Sequence, residues 1–241
     1  MRNNFIYLYI IFIILPYSVF LTILAFSTIQ IFYYDMEISL HTFLAEKATF
    51  LKKVDFSRKG SVDEDIEDIV NNINSHDDYF TTSSCSGRLV AFVEVANQRK
   101  KNCEWLFNSH KAVDLVTFRK VLDSYFQTLQ SSSGKTSGVI WLKFEPLIIH
   151  VRCRSLQAAK QLLNLALNSG CRNSGVMIGK RLRLTVALRS TLTLALPLQH
   201  TDQMQMLSDE YLEFLFQTIS IKFTENDQLR SKVRKYLMHI L

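Results

Sequence analysis

Residues Tyr79–Val95 read YFTTSSCSGRLVAFVEV, and the fold turns on how the middle of this stretch is taken. Both ends have strand chemistry: residues 79–82, and the β-branched and aromatic run at 89–95. Between them Thr81, Thr82, Ser83, Ser84, Cys85, Ser86, Gly87 and Arg88 are all small, hydroxylated or guanidinium-bearing. The plain reading is a Ser/Thr-rich turn joining two strands, with Gly87 free to adopt a turn conformation. The functional reading is a surface of hydroxyl donors beside an anion-pairing fork, suited to a polar small molecule or a phosphate. Either way the run is expected at a strand–strand junction.

Upstream, Phe43, Phe50 and Leu51 mark a short amphipathic helix ending near Lys53, followed by a polar loop at 55–59. Ser61 with Glu64 has the form of a capping box. Val62, Ile66, Ile69, Val70 and Ile73 then recur at helical spacing, which predicts a helix over 62–74. Downstream, Arg99, Lys100 and Lys101 form a basic tip, 105–109 reads as a strand and 113–129 as a helix. Residues 131–138 (SSSGKTSG) have loop composition without the spacing of a phosphate-binding GxxxxGK[ST] loop. Two strands are expected at 139–144 and 147–153, separated by Glu145-Pro146. Ser155 caps a helix with the face Leu156, Ala159, Leu162, Leu163 and Ala166, closed by Ser169-Gly170. Further strands are expected at 176–178 and 182–188, and a final helical region starts at Ser208 with a break expected near Asn226. Strands and helices alternate without a strict βαβ repeat, so the expected class is α+β, a mixed sheet packed with helices.

The chain has 241 residues and a formal net charge of +6, which favours a polyanionic partner. Arg2 and Asp35 are the only charged side chains before Met36 and cancel, so the basic excess belongs to residues 36–241. Residues 5–34 carry no charge and are long enough to span a bilayer, which takes roughly 20 apolar residues. Residues 1–35 are therefore either a membrane anchor, with the rest facing the cytosol, or an optional extension of a cytoplasmic domain at 36–241. Cys85, Cys103, Cys153 and Cys171 are widely spaced, with neither a zinc-type cluster nor a disulfide pattern. Reduced thiols and no metal are expected.

Polar groups recur where a core would not want them. Lys59-Gly60-Ser61 with Asp63 sits at a helix N-terminus, where free amides attract anions. His150 and Arg152 alternate along a strand and so share a face, with Glu145 just before that strand. Arg172 and Ser174 occupy the glycine-bounded turn GCRNSG, and Arg189-Ser190-Thr191 closes a strand. Each also has a structural explanation: a hydrogen-bonded core histidine, solvated arginines, a cap.

Taken in order, KGSVDEDI (59–66), INSHDDYFTTSSCSGR (73–88), WLFNSH (105–110), WLKFEPLIIHVRCR (141–154), SGCRNSGVMIG (169–179) and LRST (188–191) resemble the tRNA wybutosine-synthesizing protein 3 methyltransferases. The resemblance covers about 43–241, and the apolar N-terminal segment is a departure from the family pattern. It implies transfer of a methyl group from S-adenosylmethionine to a ring nitrogen of the tricyclic wybutosine precursor. That base is built from the guanosine 3′ of the anticodon of phenylalanine tRNA. On that reading Glu145 and His150 are the candidates to receive a proton. Ser83, Ser84, Ser86, Gly87, Arg88, Arg152, Arg172, Ser174 and Arg189 are the expected cofactor-binding groups. Lys59, Arg99, Lys100 and Lys101 are the expected tRNA backbone contacts. Cys85 reads as a packing residue, since methylation of a nitrogen needs no thiol. The alternative is a non-catalytic RNA-binding module using the same polar face.

Overall fold

The structure is a computed structural model that describes residues 38–52, 60–95, 103–131, 138–201 and 207–240. Lys59, Arg99, Lys100, Lys101, the apolar segment 1–35 and nearly all of the 131–138 loop lie outside the described residues. In chain order the elements are α1 (Leu40–Leu51), a 3₁₀ turn (Glu64–Ile66), α2 (Glu67–Ser75), β1 (Tyr79–Val95), β2 (Glu104–Ser109), α3 (Leu115–Ser131) and β3 (Gly138–Cys153). Then come α4 (Leu156–Asn168), β4 (Gly175–Ile178), a second 3₁₀ turn (Lys180–Leu182), β5 (Leu184–Arg189), β6 (Leu194–His200) and α5 (Asp209–Ile240). Among the described residues no helix is long and apolar enough to cross a membrane.

The class is α+β, as the pattern of elements implies. The sheet runs β2-β1-β3-β5-β4, with β6 also on β3. Every ladder between the described strands is antiparallel, so the sheet is not mixed. β3 is its spine: β1 pairs along nearly its whole length, while β6 takes residues 139–144 and β5 takes 148–153 of the opposite edge.

The hydroxyl-rich run is not a turn. It lies inside the single 17-residue strand β1, and Glu145-Pro146 likewise lies inside the 16-residue strand β3. Neither interruption breaks the chain direction because the two irregular points face each other and a side chain from α5 fills the gap. Asn226 donates from Nδ2 to the carbonyl of Ser86 (2.8 Å) and accepts at Oδ1 from the amide of Leu147 (2.8 Å). Its carboxamide thus stands in for a missing rung of the β1–β3 ladder. Gly87, at φ +112°, makes room: a Cβ there would lie 2.6 Å from Asn226 Nδ2. Asn226 is fully buried, and α5 continues through it for 32 residues without the expected break.

The same point shifts the phase of burial. Before it Ile140, Leu142 and Phe144 are buried; after it Leu147, Ile149, Val151 and Cys153 are. Two cores result. One joins Ile140, Leu142, Phe144, Leu89, Ala91 and Val93 to Phe118 of α3 and to Leu215, Phe216, Ile219 and Phe223 of α5. The other joins the later β3 residues to Ile69 and Ile73 of α2, Leu162 and Ala166 of α4, and Leu229, Val233 and Leu237 of α5. Full burial of each such side chain is worth roughly 1.5–3 kcal/mol, so α5 is held along its whole length by both.

Smaller departures have local causes. The helix expected from 62 starts as the 3₁₀ turn at Glu64, and Ser61 makes no capping box; Asp63 holds the N-cap position without capping, its carboxylate being used elsewhere. Ser155 caps α4 as expected, accepting from Ala158 N at 3.1 Å. β6, which sequence periodicity does not mark, fills the edge of β3 that β5 leaves open.

Candidate functional site

Antiparallel partners share a face, so the β1–β3 register lines up Phe80 with Arg152, Ser83 with His150 and Arg88 with Glu145. The site begins at Ser83 and His150. A bulge between Thr81 and Ser83 re-aims the strand, and Asn74 of α2 secures its start by accepting from the Thr81 amide at 2.7 Å. Ser83 Oγ lies 2.9 Å from His150 Nδ1, and Arg189 Nη2 lies 3.2 Å from His150 Nε2. A guanidinium only donates, so Nε2 accepts and Nδ1 carries the proton, donating to Ser83. Burial, then the Arg189 charge, push the His150 pKa down, which keeps the ring neutral. Arg189 is exposed at the end of β5. Its backbone amide donates to Ser174 Oγ (3.0 Å), which itself donates to the carbonyl of Cys171 (2.6 Å). Ser174 therefore positions Arg189 from the glycine-bounded turn, while Arg172 projects into solvent from the same turn.

A second cluster forms at the edge of β1 beyond the end of β2. Asp63, nearly buried, accepts from the Ser86 amide at 2.8 Å and pairs with His110 Nδ1 at 3.3 Å. Ser86 Oγ stands 3.4 Å and Cys85 Sγ 4.0 Å from the same nitrogen. The candidate ligand atoms of Asp63, Cys85 and His110 lie within 4.8 Å of one another, the only group of its kind among the described residues that could hold a metal ion. Burial raises the Cys85 pKa, so without a cation the thiol stays protonated. Sequence reasoning gave neither Asp63 nor His110 a catalytic or binding role. Both stand inside the ordered motifs, KGSVDEDI and WLFNSH, and that was the available signal. Ser86 is fully buried, its carbonyl shared by Asn226 and by Arg230 Nη1 at 3.1 Å, so Ser86 and Gly87 brace the site rather than line it.

The remaining residues separate. Arg88 and Glu145 pair at 2.8 Å, half-exposed, on the same face of the sheet. Glu145 is thus mid-strand and held, where the sequence placed it in a linker. Arg152 is 3% exposed beneath α1; its Nη1 donates to the carbonyls of Cys153 (2.9 Å) and Leu184 (3.0 Å). Its guanidinium lies over Phe43 and near Glu46 (3.7 Å), which fastens α1 to the sheet, while its Nε and Nη2 are buried without a hydrogen-bond partner. Next to it Glu46, Thr49, Phe50, Thr82, Arg183 and Thr185 help to line a groove of about 570 Å³.

The described residues thus form an antiparallel α+β domain with a line of polar side chains along β1 and β3, and the class this defines, a methyltransferase, is shown by the family match. The chain belongs to the family Methyltransferase TYW3, whose model matches residues 45–239. It is 41% identical to the tRNA wybutosine-synthesizing protein 3 homolog of Bos taurus over 198 residues, 81% of this chain and 72% of that one. It is 36% identical to the tRNA wybutosine-synthesizing protein 3 of Schizosaccharomyces pombe, over 76% of this chain and 79% of that one. Among solved structures it is similar to the PH1069 protein from Pyrococcus horikoshii: TM-score 0.66, 27% identity, 82% of this chain and 93% of that one.

Proposed function

We propose that this chain methylates a ring nitrogen of the wybutosine precursor at the guanosine 3′ of the anticodon of phenylalanine tRNA, with S-adenosylmethionine as donor. The observation that carries the reading is the neutral His150 held between Ser83 and Arg189 on an open strand face. Methyl transfer is an in-line displacement, so alignment matters more than strong acid–base groups. S-adenosylmethionine supplies the electrophilic methyl carbon and leaves as a neutral thioether.

The donor set fits such a ligand. The exposed Arg189 fork and the Ser83 hydroxyl beside His150 suit a carboxylate and a sugar hydroxyl, with Ser174 holding Arg189 and Arg172 on the same turn. Arg88 offers a second fork farther along the strand, and Ser84, paired with the core residue Ile149, stands on the helix side of the sheet. A ring nitrogen that starts with a proton must lose it. When Arg189 turns to a ligand carboxylate or phosphate, His150 Nε2 is released with its lone pair free to take that proton. Glu145 is the second candidate, released if Arg88 pairs with the ligand instead.

The test is methyl incorporation by the full chain into tRNA carrying the unmethylated precursor, with His150→Ala and Ser84→Ala alongside. Wild type is expected to be active and His150→Ala to lose about a hundredfold or more. S-adenosylmethionine should raise the melting temperature of the wild type. Neither incorporation nor a thermal shift would leave the non-catalytic RNA-binding reading. Full activity in both variants would remove this site assignment.

A further inference from the structure

The face of the sheet opposite α3 and α5 carries a second feature, beyond Arg88 and Glu145. Helices α3 and α5 pack against Leu89, Ala91, Val93, Ile140, Leu142 and Phe144. On the other side of the same strands, the register sets Trp105 of β2, Phe92 of β1 and Trp141 of β3 abreast, with Pro197 of β6 beside Trp141. Neighbouring strands lie about 4.8 Å apart, so this is a row of flat groups across four strands. The Phe92 and Trp105 rings are 5.7 Å apart, and Trp105 is 38% exposed. Pro197 and Ala195 are exposed at the other end.

Cations interleave with the rings. Lys143 Nζ lies 4.7 Å from the Phe92 ring centre and 5.5 Å from that of Trp141, and the Arg88 guanidinium lies 5.6 Å from that of Trp105. Arg88 is also the partner of Glu145, so the row is continuous with the polar line that leads to Ser83 and His150. Glu94 stands exposed at its far end and bounds it.

The geometry points to this row as a stacking platform for unpaired bases of single-stranded RNA. It rests on the tRNA methyltransferase reading, whose target base lies among unpaired anticodon-loop nucleotides. A base offers a π-face to an aromatic ring and its phosphate a charge to a neighbouring cation, and sequence-tolerant RNA surfaces are built on that pairing. Because Glu94 and Glu145 flank the row on this face, stacking rather than net charge supplies most of the affinity.

The chain has two tryptophans, Trp105 and Trp141, and both belong to the row, so intrinsic fluorescence of the full chain reports on the platform directly. Titration is with an unpaired RNA oligonucleotide of anticodon-loop length and with a duplex of the same sequence. The expected result is quenching by the single strand and little by the duplex. Trp105→Ala should weaken single-strand binding roughly five- to hundredfold, read by polarisation of a labelled oligonucleotide. Trp105→Phe should retain most of the affinity, which separates stacking from misfolding. Lys143→Gln should reduce the slope of log affinity against log salt by about one. Absence of quenching, equal quenching by duplex, or unchanged affinity in Trp105→Ala overturns the platform, even if methyl incorporation proceeds. Quenching that survives with no S-adenosylmethionine shift upholds the platform and removes the enzymatic reading instead.

Discussion

Arg189 and His150 show how burial and a single contact act together on one imidazole. Burial is the larger cause of the lowered His150 pKa and the Arg189 charge the smaller. Arg189→Leu should therefore raise that pKa only part of the way toward its ordinary value near 6.5, as followed by NMR titration of the imidazole. An unchanged value would mean that Arg189 does not face Nε2 in solution. The linkage has a definite sign. The folded pKa lies below the unfolded one, so on acidification the unfolded chain binds the proton first. Stability from this group is intact above about pH 6.5 and declines as the pH falls toward the folded value. Sequence spacing put His150 and Arg152 on one face, and they are; it could not tell that one meets an exposed guanidinium while the other is sealed under α1. That difference arises from α1 and β5, neither of them adjacent in sequence.

At the level of elements, β1 and β3 are long because α5 repairs them. Asn226→Ala leaves the Leu147 amide buried without its acceptor, while the Ser86 carbonyl keeps Arg230. The expected loss is about 1–3 kcal/mol in chemical denaturation. Gly87→Ala should cost on the order of 1–3 kcal/mol from backbone strain alone, since φ is +112°, and more if Asn226 is displaced. A neutral outcome for either would mean that the strands pair without the inserted carboxamide. Local signals were good where an element is made by its own residues: α2, α4 with its Ser155 cap, and β2 were all legible. They failed at residues 81–88, at Glu145-Pro146 and near Asn226. Each of the three looks like a break alone, and together they satisfy one another.

The whole molecule is two cores on one helix. Phe216 belongs to the first and Leu237 to the second, with α5 continuous between them. Phe216→Ala should cost about 3–5 kcal/mol and Leu237→Ala about 2–5 kcal/mol. Thermal scans should show a single transition lowered by either substitution. Two separated transitions, each moved by only one variant, would mean that α5 does not couple the cores.

The order of residues along the chain was enough for the α+β class, most helices, and the family to which the ordered motifs belong, because propensity, capping and motif order are written locally. Three-dimensional packing was needed to make the hydroxyl-rich run a strand, to bring Asp63, Cys85 and His110 together, and to stand the two tryptophans in one row. Those outcomes depend on register and on the reach of α5 across the sheet. Contacts between residues so far apart in the chain leave no periodic trace in it.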